Sequence, residues 1–187
     1  MRIITGEARY RKLKTPKGRN LRPTSDIVKE GLFNIIGNGI RGARFLDIFA
    51  GTGNVGIEAI SRGAERADFL ELSRGHIAVI RDNLRTCGFA GRAGVHGGKA
   101  EQLLAMLASA DIKYDYIYAD PPYDYEEYGT LLEQISELGL LNEGGSLFLE
   151  TGRRTVLPDE AGDFAVVRKY RYGNTVLTLY RRATQKR

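Results

Sequence analysis

The sequence has few of the residues that form covalent or metal-bridged cross-links. It contains one cysteine, Cys87, and two histidines, too few for an internal disulfide or a metal-ligand cluster. No apolar run approaches the roughly 18 residues of a membrane span, and residues 1–6 lack the apolar segment of a signal peptide. We therefore expect a cytoplasmic protein with no metal site and no membrane contact.

The charge of the chain is unevenly distributed. The 187 residues, 42% of them hydrophobic and 27% charged, suit one soluble domain with a net charge of +5. Residues 1–22 carry +7 and residues 168–187 carry another +7, so the middle of the chain carries −9. Basic ends around an acidic body indicate a polyanionic partner that the ends contact, although basic termini can also serve solubility alone.

The N-terminal part of the chain predicts a small basic hairpin followed by a helix. Two short strands, Arg2–Thr5 and Arg11–Thr15, pair in the hairpin, and the helix covers Asp26–Ile36. A sub-boundary near residue 40 would separate this piece, residues 1–40, from residues 41–187. We expect the two parts to form a single compact unit.

From residue 44 onwards, short apolar runs alternate with helical patterns. This alternation predicts a parallel sheet with helices on both faces. A closing hairpin turns at Gly173-Asn174 and adds an antiparallel strand. The predicted strands are 45–49, 67–70, 94–96, 114–119, 146–150, 164–172 and 175–181, and the predicted helices are 55–62, 76–87, 101–107 and 126–138.

A glycine loop follows the first predicted strand. Gly51, Gly53 and Gly56 satisfy the pattern G-x-G-x-x-G, which in this position is typical of dinucleotide-binding proteins. Asp47 ends the strand just before the loop, and its carboxylate would repel a pyrophosphate. The same carboxylate would favour the ammonium and sulfonium groups of S-adenosylmethionine.

The second predicted strand also ends in an acid, Glu71, which can accept hydrogen bonds from the ribose hydroxyls of either adenosine cofactor. Two acids at successive strand ends beside a glycine loop favour ligand binding. The alternative is that Asp47 and Glu71 only cap strand ends at a solvated rim.

A second motif, Asp120-Pro121-Pro122-Tyr123, follows the strand at 114–119. An aromatic amine is a poor nucleophile because its lone pair is delocalised into the ring. The Asp120 carboxylate and a following main-chain carbonyl can accept hydrogen bonds from the N–H groups of such an amine and thereby localise its lone pair. The two prolines stiffen the loop, and Tyr123 can stack on a base. The motif therefore predicts methylation of an amino group; the alternative is a rigid turn with a packed tyrosine.

These residues resemble class I amino-methyltransferases, whose signature is Asp-Pro-Pro-Tyr. More narrowly, the chain resembles the bacterial 16S rRNA guanine-N2 methyltransferases of the RsmD type. The resemblance covers nearly the whole chain and also involves residues 2–6, 21–26, 56–64 and 172–175.

The resemblance implies a Rossmann-like fold, with a seven-stranded, mostly parallel sheet, an antiparallel C-terminal hairpin and a small N-terminal β-hairpin. It implies S-adenosylmethionine as cofactor and methylation of one guanine at N2 in 16S rRNA, on the small ribosomal subunit or its assembly intermediate. We expect a monomer, since a dimer would have to leave the basic faces free for this large partner.

Site residues follow from the resemblance and from the charge pattern. The target-amine site would comprise Asp120, Pro121, Pro122 and Tyr123. The residues around the cofactor would be Asp47, Phe49 (where many methyltransferases have a glycine), Ala50, Gly51, Thr52, Gly53, Glu71, Leu72, Arg22 and Thr24. RNA phosphates would be contacted by Arg2, Arg9, Arg11, Lys12, Lys14 and Arg19.

Two positions leave alternatives open. Lys99 stands where the family tends to have an acid near the adenine, and a lysine cannot accept a hydrogen bond from the adenine amino group. Either Glu101 or the backbone then makes this contact. Glu58 could reach the amino group of the cofactor or pair with Arg62 one helical turn later.

Other functions are compatible with parts of the pattern. A DNA adenine-N6 or cytosine-N4 methyltransferase could use the same motif, but usually has an added target-recognition domain. A protein-glutamine methyltransferase typically has asparagine in place of Asp120. A dinucleotide-dependent oxidoreductase would give Asp120–Tyr123 no role, and a non-catalytic RNA-binding assembly factor would keep the fold without the activity.

Overall fold

A computed structural model of the protein describes residues 1–15 and 25–183. In these residues one sheet is flanked by helices on both faces. The strands are β1 (Arg44–Ile48), β2 (Arg66–Glu71), β3 (Ala93–Gly97), β4 (Tyr114–Ala119), β5 (Leu141–Gly152), β6 (Glu160–Ala161), β7 (Phe164–Tyr172) and β8 (Thr175–Arg182). The helices are α1 (Asp26–Ile36), α2 (Asn54–Ser61), α3 (Arg74–Cys87), α4 (Ala100–Ser109) and α5 (Tyr128–Glu137), with short 3₁₀ turns at Gly37–Ile40 and Ala90–Arg92.

The strand order in the sheet is β3-β2-β1-β4-β5-β8-β7-β6. The first five strands are parallel to one another, while β8, β7 and β6 pair in antiparallel fashion. The predicted α/β fold with an antiparallel C-terminal hairpin is confirmed. The eighth strand, β6, was not predicted because two residues are too short to show an alternating pattern.

Alternate side chains of the central strands face two separate hydrophobic clusters. Phe45, Tyr118 and Phe148 pack with residues of α1, α2 and α3 on one face. Leu46 and Ile117 pack with residues of α4 and α5 on the other. Successive side chains of a strand point to opposite faces of the sheet. The cluster that the last strand residues contact therefore shows on which face a side chain at the end of the strand lies.

The N-terminal segment forms a looser hairpin than predicted. Arg2 and Lys12 form an isolated antiparallel bridge, and the Ile3 and Leu13 amides donate to the carbonyls of Arg11 and Met1. Ile3 and Leu13 are buried, so this segment belongs to the core that α1–α3 share.

Glu58 in α2 connects this segment to the rest of the protein. Its carboxylate, fully buried, accepts the amides of Ile4 and Thr5 at 2.8 and 3.0 Å. It also accepts Arg62 Nε at 2.8 Å and lies 3.4 Å from Lys29 Nζ. Of the two alternatives for Glu58, the pairing with Arg62 is therefore the one that the structure contains.

Candidate active site

A cleft of about 1120 Å³ opens at the carboxyl ends of the parallel strands. The loops that follow β1, β2, β3, β4 and β5 all contribute to its walls. In an open α/β sheet this edge, near the point where the strand order reverses, is the usual place for a ligand. The glycine loop and the Asp120–Tyr123 motif line this cleft together, as the sequence predicts.

Four of the acids that line the cleft lie at or near the carboxyl ends of four neighbouring strands. They are Glu71, Asp47, Asp120 and Glu150, in the spatial order β2, β1, β4, β5. By the alternation along each strand, all four belong to the face that packs on α1, α2 and α3. This row of acids disfavours a phosphate-bearing ligand along the whole floor of the cleft.

The two acids nearest the glycine loop hold its backbone. Glu71 accepts the amide of Gly51 at 2.8 Å, and Asp47 accepts the amide of Gly56 at 2.8 Å. A Cβ atom on Gly56 would lie 2.4 Å from the Phe69 ring, so α2 can approach the sheet this closely only with glycine there. The G-x-G-x-x-G spacing therefore reflects helix packing as well as ligand access.

Asp47 is 1% exposed. Burial raises the pKa of its carboxyl to about 8, against the opposing effect of the hydrogen bond from Gly56, and the nearby Glu71 raises it further. A cation in the cleft would favour the ionised form. The surroundings of Asp47 therefore suit the ammonium group of the predicted cofactor.

Asn54, the first residue of α2, is a cleft residue that the sequence analysis did not single out. Lys29 Nζ, fully buried, donates to Asn54 Oδ1 at 2.7 Å, which fixes which end of the amide is the donor. Asn54 Nδ2 is buried and has no hydrogen-bond partner among the described residues. A ligand carboxylate at this helix N-terminus would provide one, so the donors and acids here fit the aminoacyl group of S-adenosylmethionine.

Phe49 links the two motifs of the cleft. Its φ angle of 59° lies in the left-handed region that glycine adopts most easily, which accounts for the glycine that many methyltransferases have here. The Phe49 ring packs edge-on against Tyr125, and Tyr125 packs against Tyr128, at centroid distances of 5.4 and 5.2 Å. These rings support the loop that carries Asp120–Tyr123.

Within that loop, the backbone of Asp120 is held at the sheet edge, since its amide donates to the carbonyl of Ile48 at 3.4 Å. Pro122 accepts the amide of Tyr125 at 3.0 Å and closes a turn. The Tyr123 side chain is fully exposed and presents its ring to whatever enters the cleft.

The end of the cleft beyond Glu71 is lined by Leu72, His76, Lys99 and Glu101. Lys99 is the N-cap residue of α4, and its side chain makes no capping hydrogen bond to the described part of the helix. Both Lys99 and Glu101 line the same cleft as Glu71. The adenine contact by Glu101 or by the backbone stays a prediction.

The predicted RNA-binding residues lie on the N-terminal segment, and their role stays a prediction. Arg11 donates to the Thr86 carbonyl, and Lys14 pairs with Asp82, so both hold the segment against α3. Arg2, Arg9 and Lys12 are exposed. Three residues of the predicted sites, Arg19, Arg22 and Thr24, lie outside the described residues.

The sequence of the whole chain is similar to that of a known protein family. The family model described as "Conserved hypothetical protein 95" matches residues 1–181. The chain belongs to this family. A Bacillus subtilis relative, "Putative rRNA methyltransferase YlbH", is 38% identical over 97% of this chain and 99% of its own length. "Ribosomal RNA small subunit methyltransferase D" of Escherichia coli is 32% identical over 99% of this chain and 91% of its own length. The predicted RsmD-type resemblance is confirmed.

Solved structures share the fold. "Putative methyltransferase yhhF from Escherichia coli" superimposes with a TM-score of 0.86 at 33% identity and covers 99% of both chains. A methyltransferase structure complexed with S-adenosylhomocysteine has a TM-score of 0.69 at 14% identity over 82% of this chain and 48% of its own, a likeness in fold alone. In the described part of the chain, no helix is long and apolar enough to cross a membrane.

Proposed function

We propose that this protein transfers a methyl group from S-adenosylmethionine to the N2 amine of a guanine in small-subunit ribosomal RNA. The observation that carries the proposal is the single cleft in which Asp120–Tyr123 lies beside the acid-lined glycine loop. The name of the Escherichia coli relative, a small-subunit ribosomal RNA methyltransferase, supports the choice of substrate.

The cofactor site follows the row of acids. In this proposal Glu71 binds ribose hydroxyls, while Asp47 and Asn54 bind the ammonium and carboxylate of the aminoacyl group. All three residues line the cleft. When bound, S-adenosylmethionine supplies an electrophilic methyl group on a sulfonium. A dinucleotide would instead bring a pyrophosphate against Asp47, which disfavours the oxidoreductase alternative.

The residues of the motif prepare the amine for attack. Asp120 and a main-chain carbonyl after it accept the two amino N–H groups, which directs the nitrogen lone pair towards the methyl donor. Tyr123 stacks on the base after it has left its helix. Positioning provides most of the rate, and Asp120 need not be a strong base, since the alkylated amine loses its proton readily.

The partner is 16S rRNA in a small ribosomal subunit or in an assembly intermediate, and the protein acts as a monomer. The exposed cations Arg2, Arg9 and Lys12 contact phosphates of this RNA, which adds affinity with little base specificity.

The test is methylation of small ribosomal subunits from cells in which the gene for this protein is deleted. The protein and labelled S-adenosylmethionine are added, the RNA is digested and the labelled nucleoside is identified. We expect label in N2-methylguanosine and, with Asp120→Ala, a loss of about 100-fold or more. Label in another base would contradict the guanine assignment. No label in RNA, with cofactor binding intact, would contradict the proposal as a whole.

A further inference from the structure

Glu150, the fourth acid in the row at the strand ends, has no role in the function proposed so far. Ala119 of β4 pairs with Leu149 of β5 in parallel register, so Asp120 and Glu150 follow side by side at the ends of neighbouring strands, about 4.8 Å apart in backbone spacing. Glu150 is 8% exposed, and the fully buried hydroxyl group of Tyr118 donates to its Oε2 at 2.5 Å. A carboxylate held in this way has a fixed position relative to Asp120.

The location of Glu150 separates it from the cofactor. In the strand order β2-β1-β4-β5, Glu71 and Asp47 lie on one side of Asp120, and Glu150 lies on the other. Thr151 and Gly152, which follow Glu150 in β5, and Thr175, which pairs with Gly152, also line the cleft. This end of the cleft is therefore the place for the target base rather than for the methyl donor.

The hydrogen-bonding edges of the bases decide which of them fits two neighbouring carboxylates. Guanine has a ring N1–H donor directly beside its exocyclic amine. Adenine and cytosine have a ring nitrogen acceptor beside theirs, which a carboxylate would repel. Two adjacent acceptors thus match guanine and reject the other two amine-bearing bases.

We propose that Glu150 is a specificity-determining residue that accepts the N1–H of the target guanine while Asp120 accepts its N2 amine. Tyr118 is a positioning residue that holds the Glu150 carboxylate. The inference rests on the proposed function and goes beyond it, because it names the group that distinguishes guanine from the other bases.

The test compares two bases at the methylated position. Once the modified nucleotide is mapped, subunits are reconstituted with RNA that carries either guanine or 2-aminopurine there. 2-Aminopurine keeps the amine but has an unprotonated N1. We expect wild-type protein to methylate guanine far better, and Glu150→Gln to narrow this preference about ten- to a hundredfold. The reason is that a carboxylate can only accept hydrogen bonds, whereas the amide of glutamine also carries a donor, which suits the unprotonated N1 of 2-aminopurine.

A matched variant and a second substitution complete the experiment. Glu127→Gln removes the charge of another acid that lines the same cleft. We expect this variant to keep the wild-type preference for guanine over 2-aminopurine. Tyr118→Phe keeps the Glu150 carboxylate but removes the hydroxyl that orients it, so the preference for guanine over 2-aminopurine should narrow partially. This variant replaces Glu150→Gln in the test if Glu150→Gln fails to bind S-adenosylhomocysteine. An unchanged guanine preference in both the Glu150 and Tyr118 variants would overturn the inference while leaving the proposed function intact. Wild-type label in a base other than guanine would overturn both.

Discussion

Among single residues, Asp47 is the one whose ionisation should affect folding most clearly. Its carboxyl has a pKa of about 8 in the folded protein because it is buried, against about 3.9 in an unfolded chain. Between these two pH values the folded state retains a proton that the unfolded state has lost. The free energy of unfolding should therefore fall as the pH rises from about 4 to 8.

Asp47→Asn should remove this contribution. We expect the loss of stability between pH 5 and pH 8 to be smaller in the variant than in the wild type, measured by urea unfolding at both pH values. The comparison uses the difference between the two pH values, so a constant effect of the substitution cancels. Equal losses in both proteins would contradict the raised pKa.

Asn54 gives a second prediction at the same scale. Its Nδ2 donor has no hydrogen-bond partner within residues 1–15 and 25–183, and the proposed cofactor carboxylate would supply one. Asn54→Ala should weaken S-adenosylhomocysteine binding about ten- to a hundredfold. It should not weaken binding of 5′-methylthioadenosine, which lacks the aminoacyl group. Calorimetric titration with both ligands measures this, and an equal loss for both would mean that the amide serves only the local structure.

The residues that sequence reasoning found differ physically from those that it missed. Asp47, Glu71 and Asp120 each lie at or next to the carboxyl end of an apolar strand, so the pattern alone predicts that they share one edge of the sheet. The importance of Asn54 depends on Lys29, which lies 25 residues away in the chain and is fully buried. No local pattern predicts that burial. Glu150 also ends a predicted strand, but only the β4–β5 register puts it beside Asp120.

At the scale of elements, long periodic segments were predicted best. The bounds of α1 and β4 agree to the residue with the prediction. The predicted helix 126–138 begins later, at Tyr128, because the turn from Pro122 to Tyr125 precedes it. The short N-terminal strands reduce to one bridge, since their stability depends on contacts with α2 and α3 rather than on their own pairing.

The anchoring of the N-terminal segment to α2 leads to a stability prediction. Glu58→Ala would leave Lys29 buried without its nearest carboxylate, and the amides of Ile4 and Thr5 without their acceptor. Removing one partner of a buried ion pair costs about 3–5 kcal/mol. We expect a decrease of that size in the free energy of unfolding, measured in urea.

The control for this variant is an ion pair at the surface. Lys14 and Asp82 also join the N-terminal segment to a helix, but their side chains are 65% and 39% exposed. Asp82→Ala should therefore decrease the free energy of unfolding far less than Glu58→Ala does. If the Glu58 and Asp82 variants were equally stable, the buried cluster would not be what holds the segment in place.

At the scale of the whole molecule, charge is separated between an acidic cleft and basic ends. The acids of the cleft suit a cationic methyl donor and the amine edge of a base, whereas the RNA backbone requires cations elsewhere. Of the predicted RNA contacts in the described chain, Arg11 and Lys14 already serve internal contacts. Arg9 and Lys12 are exposed, so replacing them tests RNA binding without removing the internal contacts that Arg11 and Lys14 make.

RNA binding by the N-terminal segment should depend on salt in proportion to its phosphate contacts. Each contact contributes about 0.7–0.9 to the slope of log affinity against log salt. Replacing Arg9 and Lys12 together by alanine should reduce that slope by about 1.4–1.8, measured by binding to small ribosomal subunits over a range of KCl concentrations. Affinity should fall without a change in the methylated nucleotide, since phosphate contacts do not select bases.

The matched control removes two charges from the opposite edge of the sheet. Arg41 and Lys113 are exposed and precede β1 and β4, so they lie at the amino ends of strands whose carboxyl ends form the cleft. Their joint replacement by alanine changes the net charge equally and should leave the slope unchanged. If both double variants reduced the slope alike, the attraction would come from net charge alone, and the N-terminal segment would not be the RNA-binding surface.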